Sequence, residues 1–429
     1  WWDKEIEIKE SSLGPIVSDA PFLNSYKASP VAMKWVGHEV SDEFTAFLKV
    51  NQARNWKDFR EAFKTYAVSG QNFLYADVEG NIGQLIAVRA PMGATSKPNE
   101  LLHDPKDPET QWQGYRTSLE LPAVLNPVQG FLVSANNKAV ETEAPLALFY
   151  ASSDRFERLK ELIERQERLG LEELMAMQMD VYCSSSHEMA KILTEKLYAL
   201  FVGQVLSENA QKLLRAINDW DGKYTIDSNG AYAFELLHAE LMEKYYSARF
   251  GQDVYKALSS STLFHGFLKA DLDKIDEDNL LRSSLKDAFY ETAEDFSPSM
   301  VWSDMHSLEA KHILSRVQLI GRAYNFETFP VAGSSNTVMK TAHEVSKKPH
   351  SANYGAVARH LSDMSDVNAN YFVLFGGEDG WVGSEQMLDQ LPLWKGGDYI
   401  QVPLSAELAR SQSVITLKLD SLPKDMLSR

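Results

Sequence analysis

The stretch Gln71-Asn72-Phe73-Leu74-Tyr75-Ala76-Asp77-Val78-Glu79-Gly80-Asn81-Ile82-Gly83-Gln84-Leu85-Ile86-Ala87-Val88 sets two apolar runs on either side of the quartet Val78-Glu79-Gly80-Asn81. Gly and Asn tolerate positive φ, so the quartet reads as a hairpin turn, with Phe73 to Asp77 and Ile82 to Val88 as its strands. Just upstream, Trp56, Phe59, Phe63 and Tyr66 recur at helical spacing behind Asn55, a residue type that caps helices. A shorter helix is expected from Asp42 to Lys49. Helices feeding a hairpin, without regular βα alternation, argue for an α+β fold rather than a doubly wound sheet or a barrel.

Working outward, Ile6 and Ile8 alternate with charged neighbours and suggest a half-buried strand, followed by an apolar Gly14-Pro15-Ile16-Val17. Gly93 to Gly114 is rich in Pro, Asp, Ser and Lys and reads as a long irregular loop. Beyond Asn137 the pattern turns helical. Ser153-Asp154 stands at the start of one helix, and Leu171 to Leu200 continue amphipathic with Glu172 and Glu173 early, where the helix dipole favours acids. More helices are expected from Asn209 to about Val317, broken at Asp221-Gly222 and across Asp271 to Asn279. Strands return at Asn370 to Phe375 and at Ser413 to Leu419. The organisation expected is thus 1–137 mostly sheet with flanking helices, 138–330 mostly helical, and 331–429 as strands that complete the sheets.

Composition excludes several classes. With 44% hydrophobic and 24% charged residues, interspersed, the chain is globular rather than disordered. No run approaches the roughly 18 apolar residues of a spanning helix. A formal charge of −17 repels phosphate backbones and anionic lipid, and no basic patch offsets it, so neither nucleic acid nor a membrane is an expected partner. The single cysteine, Cys183, reads as a buried small hydrophobe.

Cofactor and metal motifs are absent. No G-x-G-x-x-G or phosphate-binding lysine loop occurs. Asp271-Leu272-Asp273-Lys274-Ile275-Asp276 and Asp366-Val367-Asn368-Ala369-Asn370 lack the central Gly and closing Glu of a calcium loop and read as solvated acidic turns. The ten histidines are scattered, without H-E-x-x-H, and do not point to zinc. Gly333-Ser334-Ser335-Asn336 reads as a turn rather than as a nucleophile elbow.

One stretch asks for chemistry: Gly130 to Val133 is strand-like and runs into Ser134-Ala135-Asn136-Asn137. On a strand, successive side chains point to opposite faces, so one amide is expected in a cleft and the other against the backbone. An Asn amide is an uncharged, pH-independent donor suited to an oxyanion. From local pattern alone, a turn at a strand end is the simpler reading of the pair.

The order of segments adds to this. The hairpin Gln71 to Gly83, Trp112-x-Gly114, Ser134-Ala135-Asn136-Asn137, Asp154-Arg155 and Gln178-x-Asp180-Val181 follow one another. Gly14 to Val17, Ala32-Met33-Lys34-Trp35 and Asn51 to Trp56 flank them upstream, with Trp220-Asp221, Gly355-Ala356-x-x-Arg359, Gly376-Gly377 and Trp394-x-x-Gly397-x-Tyr399 downstream. In this order the chain resembles the penicillin acylase family of N-terminal nucleophile hydrolases over nearly its whole length.

The resemblance implies a four-layer αββα sandwich with a largely helical insertion, in a precursor that cleaves itself into a small and a large subunit. An N-terminal Ser of the large subunit then attacks an amide. By the same resemblance Asn136 donates to the oxyanion, Arg155 orders the amine and amide network, Gln71 stands in the acyl-pocket wall, and Asn72 helps hold the site's backbone. An arginine at a helix start is disfavoured by the dipole, so a buried partner is expected for Arg155. Residue 1 is Trp, with neither hydroxyl nor thiol, and the segment is expected to be the C-terminal portion, and most, of the large subunit. Its implied partners are the small subunit, the upstream part of the large subunit and a small N-acyl substrate such as a penicillin-type amide or an N-acyl homoserine lactone. A periplasmic or secreted location is implied too. Calcium is possible by resemblance only, since no acid stands at Leu146-Ala147-Leu148, and Gly380 to Met387 lacks the family's Ser-Pro-His-Tyr. A non-catalytic binding or structural relative is the alternative reading.

Overall fold

The computed structural model describes residues 3, 5–20, 29–93, 102–108, 111–139, 146–147, 149–259 and 264–418. The chain divides into two compact units, Trp1–Phe156 and Glu157–Arg429.

In the first unit, β1 (Glu10–Ser11) pairs with β2 (Gly14–Pro15), and α1 (Glu43–Val50) and α2 (Trp56–Ala62) follow. Both helices start where a side chain satisfies an otherwise orphaned N–H: Asp42 accepts from Thr45 at 2.9 Å, and Asn55 from Asp58 at 2.9 Å. The hairpin forms as expected, β3 (Gln71–Ala76) against β4 (Ile82–Ala87), with Asn72 opposite Ile86, Phe73 opposite Leu85 and Tyr75 opposite Gly83. Asp77 closes the turn by accepting from the N–H groups of Glu79 and Asn81, at 3.0 and 2.9 Å, while Gly80 takes φ +84°. β5 (Ala90–Met92) pairs with β6 (Gly114–Arg116) at the two ends of the expected loop, part of which lies outside the described residues. β7 (Ala123–Leu125) adds to the free edge of β4.

Alternation along the hairpin sorts its side chains between two environments. Phe73, Tyr75, Leu85 and Ala87 face the helices and pack with Ala46, Phe59, Phe63 and Tyr66. The rings interlock: Phe63 lies 4.3 Å from Phe73, centroid to centroid, and Phe59 5.1 Å from Tyr75. Gly83 leaves room for Trp56, whose ring would stand 2.5 Å from any Cβ added there. On the opposite face Ile86 joins Ala90 and Leu121, with Val88, Ala139 and Leu146 alongside.

The helix α3 (Asp154–Glu164) runs through the boundary between the units. In the second unit come α4 (Leu171–Gln178), α5 (Ser184–Leu200), α6 (Glu208–Asn218), α7 (Asn229–Phe250), α8 (Gln252–Ser259), α9 (Phe267–Leu272), α10 (Asn279–Asp295) and α11 (Trp302–Met305). Cys183 is fully buried just before α5, as its context suggested. The helix α7 is buried on almost every side, which marks it as the hub of this helical part. Among the described residues, no helix is long and apolar enough to cross a membrane.

Strands resume with β8 (His306–Lys311), which pairs antiparallel with β9 (Asn325–Pro330), inside the stretch expected to be mostly helical. β10 (Thr341–Ala342), β11 (His350–Ser351), β12 (Tyr354–Gly355), β13 (Ala358–Ser362), β14 (Asn370–Leu374), α12 (Leu391–Gly396), β15 (Ile400–Gln401) and α13 (Ala406–Gln412) complete the chain. β11 joins β8 in parallel, β10 pairs with β12, and β14 stands between β13 and β15. Gln178, Ala356, Arg359, Trp394 and Tyr399, spread over more than two hundred positions, converge here. The Arg359 guanidinium lies 4.7 Å from the Trp394 ring centroid and donates to the Trp394 carbonyl at 2.8 Å. Trp394 in turn donates its indole N–H to Ala356 O at 3.0 Å, and Tyr399 O–H donates to the Gln178 side chain.

Two sequence expectations are corrected. Ile6 and Ile8 form no strand and are 70% and 73% exposed, because an alternating pattern makes a strand only where a neighbour supplies hydrogen bonds and cover. Ser413 to Lys418 likewise form no strand, with Val414, Ile415 and Leu417 exposed, and Leu419 lies outside the described residues.

A buried polar cluster sits beside α7. Tyr224 O–H donates to Glu235 Oε1 at 2.6 Å, and His238 Nδ1 lies 3.6 Å from Glu235 Oε2. The rings of His306, His343 and His350 stand 4.6 to 5.2 Å apart, centroid to centroid, with His306 stacked on Trp302. Burial, reinforced by the neighbouring imidazoles, lowers His306 to about 2 and His350 to about 4 from an ordinary 6.5. Both rings are therefore neutral when folded, whereas the unfolded chain takes up protons below about pH 6.5. The unfolded state then binds more protons, so stability is unaffected above that pH and is lost as pH falls from about 6.5 towards 4. We expect a loss of up to about 1.4 kcal/mol per pH unit for each ring, read from urea midpoints between pH 7.5 and 5. A profile no shallower in His350→Asn would contradict this origin.

Candidate active site

Residues Ala135 to Asn137 make a bend, not the end of a strand, and Asn136 takes φ +62°. The left-handed region is open to Asn at little cost because its short amide can bond locally. Three sets of bonds hold the bend. Ala135 N–H donates to Asn137 Oδ1 at 3.1 Å, Asn137 Nδ2 donates to Lys138 O at 3.2 Å, and Ala151 N–H donates to Asn136 O at 3.0 Å. From the first turn of α3, Arg155 Nη2 donates both to Ala135 O at 2.8 Å and to Asn136 Oδ1 at 2.9 Å. Ala135 is buried, so Arg155 has the buried partner expected of an arginine at a helix start.

The second of those arginine bonds fixes chemistry as well as shape. A guanidinium has only donors, so the amide atom facing it must be the oxygen. What Asn136 then has to offer a ligand is its pair of Nδ2–H donors. Behind it, Asp154 is buried, and Ser152 Oγ bonds to its carboxylate at the start of the same helix.

Asn136 opens on a cleft of about 290 Å³ that also has Gln71, Asn72, Asn137, Ser134 and Tyr150 in its walls. Ile86, Val88, Ala139 and Leu146 give it an aliphatic floor. Gln71 and Asn72 lie at the start of β3, so the hairpin that packs on α2 with one face delivers them here. Gln71 Nε2 donates to Ser69 Oγ at 3.2 Å, and Asn72 stands in the wall opposite Ile86.

All four residues singled out in the sequence fall together: Gln71, Asn72 and Asn136 in the lining, and Arg155 directly behind it. The expectation that Asn136 and Asn137 face opposite ways is corrected, since a bend does not impose strand alternation and both residues line the cleft. Asn137 nevertheless spends its amide on the backbone. Ser134 and Tyr150 were not foreseen as lining residues; Ile86 was foreseeable from alternation along β4, whereas Tyr150 follows a stretch with no periodic pattern.

Among the described residues, the lining holds no carboxylate, imidazole, thiol or ammonium. It can bind and polarise a neutral group, but these side chains include no base that works near neutral pH. Among the described residues, no group of three or more His, Cys, Asp and Glu is placed to hold a metal ion.

The architecture is of the α+β class and of the N-terminal nucleophile hydrolase type. It matches the structure of a thermostable penicillin G acylase from Alcaligenes faecalis with a TM-score of 0.63, over 99% of this chain and 80% of that one, at 18% identity. The chain belongs to the penicillin amidase family, whose profile matches residues 2–410. It is also similar to the penicillin acylase 2 proenzyme of Pseudomonas sp. (strain SE83), 24% identical over 440 residues that take in 96% of this chain and 54% of the proenzyme. The chain thus spans about half the length of that relative.

If Arg155 holds the bend, Arg155→Ala should destabilise the protein by about 2 kcal/mol through two lost charge-assisted bonds, measured by urea unfolding. An unchanged midpoint would show that the bend is held by its own local bonds alone.

Proposed function

We propose that this chain supplies the oxyanion donor and part of the acyl pocket of an amidohydrolase that cleaves N-acyl amides. The attacking N-terminal Ser would come from polypeptide outside these 429 residues. The observation that carries this reading is the Arg155-held Asn136, whose donors remain to meet a carbonyl oxygen in a cleft that has no charged side chain among its described lining residues.

The chemistry follows from that arrangement. When a nucleophile adds to an amide carbonyl, charge gathers on its oxygen, and a donor fixed in advance stabilises the tetrahedral state without reorganising. Arg155 acts through Asn136 as a positioning residue. The Ile86, Val88 and Leu146 floor suits an apolar acyl chain, with Gln71 as a hydrogen-bonding wall. Family membership supports amide hydrolysis as the reaction class.

Two measurements on the complete, processed enzyme test this. Because position 136 is left-handed, Ala would add backbone strain, and Asn136→Gly is the cleaner removal of the amide. It should lower kcat by roughly two orders of magnitude with a smaller change in KM, and a near-normal kcat would reject the donor role. Across an acyl panel, neutral apolar acyl groups should be cleaved with higher kcat/KM than carboxylate-bearing ones of similar length. A preference for glutaryl-type groups would refute the uncharged cleft as the acyl pocket.

A further inference from the structure

The second unit carries a cleft of its own, about 540 Å³ in volume, where β8, β10 and β12 meet the loop ahead of β13 and the helix α12. Clefts that take small molecules run from roughly 300 to 1,000 Å³. None of its lining residues belongs to the amide-lined cleft around Asn136, and the proposed hydrolysis makes no use of it. Two kinds of side chain meet in its walls. Leu308, Val357, Phe375 and Trp394 are apolar, while Lys311, Arg316 and Lys340 bring positive charge.

The apolar part of the wall is fixed before anything binds. Trp394 is 2% exposed, its indole N–H is spent on Ala356 O, and the Arg359 guanidinium lies over its ring. Phe375 stands edge-on to it, with ring centroids 5.0 Å apart and planes at 81°, and donates its backbone N–H to Val357 O at 2.6 Å. With the indole donor taken, the two rings offer a ligand apolar surface and nothing else. A surface held this way loses little freedom when a flat, rigid molecule meets it.

The positive charge is not balanced within the cleft. Lys311 is paired with Glu309, and Lys340 Nζ lies 5.1 Å from the centroid of the Tyr354 ring. Arg316, placed by the 3-10 turn Ile313–Arg316 that follows β8, makes no ion pair or hydrogen bond among the described residues. With Glu309 taken up by Lys311, the lining leaves Arg316 and Lys340 against a single remaining carboxylate, Glu344. Surplus positive charge in a concavity runs against a chain of formal charge −17, and apolar walls concentrate its field. We propose that this cleft binds a small aromatic monocarboxylate, its ring against Phe375 and Trp394 and its carboxylate on Arg316 and Lys340. The planar fork of a guanidinium matches a carboxylate through two parallel bonds, which suits Arg316 to that end of the ligand. A simple anion would leave the rings unused, and a neutral aromatic would leave the guanidinium unused.

Titration calorimetry on the full-length protein, with 2-naphthoate as the probe, tests this. Saturable binding is expected, about tenfold tighter than for 2-naphthalenemethanol, which has the rings without the charge, and than for inorganic phosphate, which has the charge without the rings. Arg316→Gln should weaken the acid about tenfold and leave the alcohol and the thermal midpoint unchanged, because this arginine has no partner to lose. Val357→Trp, which fills the cleft from a position 60% exposed, should remove binding of the acid. Asn136→Gly should leave it intact, which separates this cleft from the amide-lined one. Equal affinity for acid and alcohol, phosphate held as tightly as naphthoate, or an Arg316→Gln protein that binds as before overturns the proposal. Loss of binding in Asn136→Gly overturns it too, as does a folded full-length protein that shows no saturable binding.

Discussion

The hairpin at residues 71–87 works because neighbouring side chains on a strand must point in opposite directions. One face carries Phe73, Tyr75 and Leu85 into the aromatic contact with α2; the other brings Ile86 into the cluster below the amide-lined cleft. Packing and site are thereby coupled. A one-residue slip of β3 against β4 would exchange the two faces, removing rings from the core and putting them where a substrate would lie. The turn at Asp77 to Asn81 fixes that register, so a short polar loop far from the cleft determines what lines it.

Many of the segments that mark the family turn out to do mechanical rather than chemical work. Arg359, Trp394 and Ala356 form one stacked and hydrogen-bonded unit, and Tyr399 ties the end of α4 to the C-terminal strands through Gln178. Asp180 receives Arg158 through two bonds of 3.0 and 2.7 Å, and its carbonyl accepts from Met339 N–H. These residues look conspicuous in sequence because buried polar groups need specific partners, and an aliphatic replacement cannot supply them. The short Asn136 and Arg155 pairing differs in kind, since it orients a donor towards open space.

Sequence pattern made visible those elements whose period and caps agree. The helices α1 and α2, their Asp42 and Asn55 caps, the hairpin and the helical run through α10 all have local signals that no distant contact overrides. It failed where the deciding partner lies elsewhere. Ile6 and Ile8 have the alternation of a strand but no sheet, and Ser413 to Lys418 the same. The histidine cluster was invisible because His306 in β8, His343 just after β10 and His350 in β11 meet through the fold, not through spacing along the chain. Of the cleft, Asn136 and Arg155 were named through resemblance, while the backbone conformation that lets both amides line it was not.

That conformation restricts position 136 in a further way. At φ +62° the comfortable residues are Asn, Asp and Gly, and of these only Asn presents uncharged donors. Asp would keep the bend and would bond Arg155 more strongly, so the fold would tolerate a change that puts a negative charge where the proposed function calls for a neutral donor. Replacement of this one amide by a carboxylate, with the backbone intact, is therefore a change that a thermal screen would miss and that, on the proposed function, only turnover would reveal.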